Sequence, residues 1–169
     1  ESISYYKEAL EISREIGNKR GEGIDLGNLG TVYQELGEYE NALTHYKKAL
    51  EISREIGNKR GEGINLGNLG NVYQRLGEYE KAISPYEDAL EISREIGNKS
   101  IEGITLGNLG GIFIKLENWK KAKETLSKAI EICTEINFSI GVGVFKGSLS
   151  LVYYHQGKIE GAVALLAEG

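Results

Sequence analysis

Side chains able to do covalent or acid–base chemistry are sparse in these 169 residues. There is one cysteine, Cys133, and there are two histidines, His45 and His155. The histidines fall in different helical stretches, with no second ligand at metal-binding spacing. No histidine lies near Cys133 in sequence, so a small packed thiol is expected there and not a nucleophile. The run Gly21-Glu22-Gly23-Ile24-Asp25-Leu26-Gly27 misses the dinucleotide-binding glycine spacing by one residue and follows a helical stretch, not a strand. Gly97-Asn98-Lys99-Ser100 lacks the Gly-Lys-Ser/Thr run of a phosphate loop. No nucleophile–base pair, carboxylate dyad or metal cluster can be assembled from such motifs. No catalysis, cofactor or metal site is therefore expected. What does recur is the amide: Asn28, Asn68 and Asn108 stand at a constant spacing of 40. Each amide offers both a donor and an acceptor, which is the chemistry of binding and not of turnover.

Twenty Lys and Arg against 25 Asp and Glu leave a net charge of −5. That balance speaks against a nucleic-acid partner or a polybasic membrane contact, and no apolar run approaches the roughly 20 residues that span a bilayer. One thiol and no visible signal segment make the cytoplasm the default expectation. The chain contains no methionine and starts and stops partway through a repeat, so we expect a piece of a longer polypeptide.

The elements that must position the amides come from that repeat. Residues 21–60 and 61–100 are identical at 30 of 40 positions, and 61–100 and 101–140 at 16 of 40. Residues 1–20 read as the second helix of a preceding unit, followed by units at 21–60, 61–100 and 101–140 and an incomplete one at 141–169. Each unit reads as two helices. Ala42, Leu43, Tyr46, Ala49, Leu50, Ile52 and Ile56 recur at three- and four-residue spacing along the second. Gly57 suits the left-handed stop of that helix, and Asn58 suits the N-cap of the next. The first helix carries Ile64, Leu66, Leu69, Val72, Tyr73 and Leu76, with Gly77 turning into its partner. Glu51, Arg54 and Glu55 give the second helices a mixed solvated surface.

Three glycines interrupt each first helix: Gly23, Gly27 and Gly30, then Gly63, Gly67 and Gly70, then Gly103, Gly107 and Gly110. Each costs about 1 kcal/mol relative to alanine. Either they let a neighbouring helix approach closely, or Gly27, Gly67 and Gly107 keep the floor of a groove open for a ligand backbone.

The pattern Leu26, Leu29-Gly30, Tyr33, Leu36-Gly37, Tyr39, Ala42, Tyr46, Ala49 returns as Leu66, Leu69-Gly70, Tyr73, Leu76-Gly77, Tyr79, Ala82, Tyr86, Ala89. It resembles the tetratricopeptide repeat, and the resemblance covers essentially the whole chain. The third unit has Glu117 in place of the turn glycine, and the fourth has Ser150 in place of the small one. The 40-residue period departs from the usual 34 and is similar to the repeats of kinesin light chains and spindle-orientation adaptors. The fold so implied is all-α: a right-handed α-solenoid of stacked antiparallel helix pairs.

The same resemblance places the first helices on a concave groove. Helical spacing then exposes Asn28, Gln34 and Glu35; Asn68, Asn71, Gln74 and Arg75; Asn108, Ile114 and Lys115; and Leu151 and Tyr154. The amides could hold a peptide backbone, with selectivity left to the apolar and charged members. Alternatively, Asn28, Asn68 and Asn108 bond neighbouring helices and only hold the stack in register. Carboxylate capture of the kind seen in chaperone adaptors is not expected, because the first clamp position holds Ile24, Ile64, Ile104 and Val144.

The reading is a non-catalytic scaffold that binds a peptide segment or helix of a partner protein along the groove. The alternative is a sensor or oligomerisation arm of a larger signalling protein whose catalytic domain lies elsewhere. Val152, Ile159, Ala162, Val163, Leu165 and Leu166 have no polar cap over them, so end-to-end self-association is also expected.

Overall fold

The computed structural model describes residues 2–167; residue 1 of the leading segment and residues 168 and 169 of the fourth unit lie outside the described residues. Among the described residues the chain forms nine helices and no strand. They are α1 (Ser2–Glu15), α2 (Lys19–Glu35), α3 (Tyr39–Glu55), α4 (Lys59–Arg75), α5 (Tyr79–Glu95), α6 (Lys99–Lys115), α7 (Trp119–Glu135), α8 (Ser139–His155) and α9 (Ile159–Ala167). The architecture is an all-α solenoid of helix pairs.

Local chemistry sets these boundaries. Gly57 takes φ +66°, and the hydrogen bonds Asn58 N→Ser53 O and Gly57 N→Arg54 O close a Schellman stop. The side chain of Asn58 then accepts from Gly61 N at 3.1 Å and caps the following helix. Asn18 and Asn98 do the same for α2 and α6. Where the glycine is missing, the chain keeps the conformation: Glu117 is held at φ +54° and Asn137 at φ +57°. Asparagine tolerates this region; glutamate is strained in it.

Ion pairs reinforce each of the first three turns from a second helix into a first. Arg14 pairs with Glu22 at 2.8 Å, Arg54 with Glu62 at 2.8 Å and Arg94 with Glu102 at 2.9 Å. Lys19, Lys59 and Lys99 reach the same carboxylates from the first turn of α2, α4 and α6. Arg54 is therefore part of a clamp onto the buried Glu62, and not simply one more charge on a solvated face. In the fourth repeat Thr134 and Val142 occupy the places of the arginine and the glutamate, so the clamp is absent there.

The chain divides into two compact units, one ending at Ile92 and the other starting at Ser93. In the N-terminal unit the core combines Leu26, Leu29, Leu66 and Leu69 of the first helices with Ala42, Tyr46, Ala49 and Leu50 of α3. A Cβ on Gly30 would fall 2.7 Å from the Tyr46 ring, and one on Gly23 would fall 3.2 Å from Ile52. These glycines serve close packing within a helix pair. In the C-terminal unit α6 packs on α7, α7 on α8, α8 on α9, and α6 also touches α8. Gly103 and Gly110 lie against Ile132 and Leu126 in the same way. Val152 and Ala162 belong to this core, which removes them from the exposed apolar set that the sequence suggests.

Candidate functional site

Within the N-terminal unit, α2 and α4 lie side by side over the end of α3 and leave a hollow of about 250 Å³. Ile24 and Ile64 form its apolar walls and stand 54% and 43% exposed. Gly27 lies at its floor, Asn28 and Asn68 flank it, and Arg20 stands at its rim. The asparagines are half-buried, and among the described residues of this unit neither forms a side-chain hydrogen bond.

The other predicted amides sit differently. The Tyr86 hydroxyl donates its one proton to Asn71 Oδ1 at 2.6 Å and lies 3.2 Å from Gln74 Oε1. The Tyr46 hydroxyl donates to Gln34 Oε1 at 3.2 Å and lies 3.1 Å from Thr31 Oγ1. These rings are fully buried, and burial raises the Tyr46 pKa, so the phenol stays neutral and able to donate. Gln34, Asn71 and Gln74 are thus oriented from below by their own repeat's tyrosine. Glu35 and Arg75 are exposed at the ends of α2 and α4.

In the C-terminal unit the predicted residues split. Asn108 and Ile114 on α6 are half-buried, whereas Lys115 is exposed. On α8, Leu151 and Tyr154 stand 43% and 62% exposed. Tyr154 meets His155 edge-on at 5.9 Å, and His155 stacks on Trp119 at 4.2 Å. The floor position differs from that of the N-terminal unit: the Phe145 ring of α8 occupies the space a Cβ on Gly107 would need. At this position the reading of an open glycine floor fails, because an internal side chain covers it.

Sequence reasoning missed the tyrosine hydroxyls beneath the amides and the arginine–glutamate clamps, and it used Ile24 and Ile64 only to exclude a carboxylate clamp. The tyrosines had a signal, since Tyr46 and Tyr86 recur in register. Among the described residues, no cluster of His, Cys, Asp and Glu could hold a metal ion, and no helix is long and apolar enough to cross a membrane. Burial raises the pKa of Cys133, which suits a packed thiol.

Paired helices in tandem, with polar side chains presented on their first members, define a helical-repeat protein. Residues 24–95 match one tetratricopeptide-repeat family model and residues 105–135 match another, together more than half of the chain. The chain belongs to the tetratricopeptide repeat family. No curated protein matches the sequence. Among solved structures it is similar to BtubC from P. vanneervenii, with a TM-score of 0.89 at 22% identity, covering 98% of this chain and 69% of that one. It is similar to a Rap protein complexed with competence and sporulation factor, with a TM-score of 0.84 at 22% identity, covering 99% of this chain and 47% of that one. A signal-transduction ATPase with numerous domains and a tetratricopeptide repeat sensor, from Pyrococcus horikoshii, gives a TM-score of 0.87 at 27% identity. This chain spans 98% of its own length and 26% of the ATPase in that comparison.

Proposed function

We propose that this chain is a non-catalytic interaction module that binds a peptide segment or helix of a partner protein along its first helices. The observation that carries this reading is the pair Asn28 and Asn68, two half-buried amides that line one hollow. A half-buried amide that has lost part of its hydration gains from a partner's main chain, because each supplies what the other lacks. The Tyr46 and Tyr86 hydroxyls hold Gln34, Asn71 and Gln74 in fixed orientation, which reduces the ordering cost of binding. The similar Rap structure, solved in complex with competence and sporulation factor, supports a partner of this general kind.

The test is a pull-down that compares wild type with an Asn28, Asn68, Asn108→Ala variant of unchanged helicity. A protein retained by wild type alone supports the reading. Equal retention by both moves binding to Ile114, Leu151 and Tyr154 or to the outer helices.

A second reading, a sensor arm within a larger signalling protein, is favoured by the similarity to an ATPase that has a tetratricopeptide repeat sensor. A nucleotide-binding motif in the full-length gene beside this array would support it.

A further inference from the structure

Within the two units, the junction between first helices of adjacent repeats is open at α2 and α4 and filled by the chain itself at α6 and α8. In the C-terminal unit, α8 supplies Phe145, a buried ring seated on Gly107 of α6. In the N-terminal unit the matching residue of α4 is Asn65, whose Nδ2 donates to Ser53 Oγ at 3.3 Å. A Cβ on Gly27 would meet only Asn65 Oδ1, at 3.5 Å. The glycine floor is left uncovered, and the hollow of about 250 Å³ remains between Ile24 and Ile64.

We propose that this hollow is a subsite for one aromatic side chain of the partner segment, seated on Gly27 as Phe145 is seated on Gly107. The inference rests on the reading given under Proposed function and names the residue class the face selects. Three observations specify the occupant. Phe145 shows which chemistry fits over a glycine at this junction. The volume takes one ring, since a cavity of about 150 Å³ already holds benzene. Arg20 at the rim is exposed and forms no ion pair among the described residues of its unit, so a carboxylate adjacent to the ring in the partner complements it. Asn28 and Asn68 then stand where they meet the main chain on either side of the inserted residue.

The probes are N-acetyl-aspartyl-phenylalaninamide and its asparaginyl analogue, followed by amide NMR of the whole chain. The expected result is concentration-dependent shifts at Gly23, Gly27, Asn28 and Asn68, larger at a given concentration for the aspartyl probe. These shifts are lost in Asn65→Phe, which supplies the internal ring, and in Gly27→Leu. The second variant guards against misfolding of the first, because its Cβ has ordinary room and leucine favours helix over glycine. Absence of shifts at those residues in wild type, or the same shifts in both filled variants, overturns the subsite. Equal response to the two probes overturns the role of Arg20. In the pull-down, a partner lost by the asparagine variant but kept by Gly27→Leu overturns the subsite while the binding face stands. A partner kept by both variants counts against the face itself.

Discussion

Tyr86 donates its hydroxyl to Asn71 Oδ1 at 2.6 Å, joining a fully buried ring of α5 to a half-buried amide of α4. The bond links the core of the N-terminal unit directly to the face proposed to bind a partner, and Gln74 shares the same hydroxyl. Tyr86→Phe keeps the ring and removes only this donor. A loss of about 1 kcal/mol is expected, read as a lower urea midpoint with unchanged slope. A larger loss in partner binding than in stability is expected as well, because Asn71 and Gln74 would no longer be oriented.

The glutamate clamps predict acid sensitivity. Hydrogen bonding from Arg14 holds the Glu22 carboxyl below its usual range. At Glu102 burial pushes the pKa up, but hydrogen bonds from Arg94 and Lys99 outweigh it and the net shift is downward. A carboxylate depressed in the folded state stabilises the fold above its unfolded pKa, and that stability is lost as pH falls through the folded value. Stability of wild type is therefore expected to decline from about pH 4.5 downward. Glu102→Gln should lower stability at neutral pH and flatten that decline, as measured by thermal melts across pH 2–7.

Glu117 occupies a left-handed turn position at φ +54°, where Gly37, Gly77 and Gly157 stand in the other repeats. Glu117→Gly removes the Cβ clash and is expected to stabilise the protein by about 1 kcal/mol, seen as a rise of a few degrees in Tm. Asn137→Gly at φ +57° should gain less, since asparagine tolerates this conformation.

Apolar side chains of α9 remain open: Ile159, Val163 and Leu166 are each more than half exposed. Self-association through this surface is expected to give a concentration-dependent mass in analytical ultracentrifugation. Val163→Lys with Leu166→Lys should return it to a monomer without loss of helicity, since neither residue is buried. A monomer at all concentrations in the unmodified chain would contradict the expectation.

Much of the fold was legible in the sequence because its signals are local. The three- and four-residue spacing, the glycine stops after α2 to α5 and the asparagine caps of α2, α4 and α6 act within a turn or two of chain, and the 40-residue period repeats them. The site was only half legible. That Asn28 and Asn68 belong to one face follows from helical spacing, and so does the placing of Gln34, Asn71 and Gln74. Which of these amides is already bonded, and to what, does not.

Those distinctions belong to packing between helices. Tyr46 and Tyr86 reach the amides only because Gly30 and Gly70 let the second helix come close enough for its ring. Gly27 and Gly107 are the same residue in the same motif, yet one lies open and the other is covered, because the facing helix carries Asn65 in one case and Phe145 in the other. The sequence by itself determined the helices, their pairing and the family. Tertiary structure decided which polar groups were left without internal partners and where space remained, since both depend on side chains brought together from different helices.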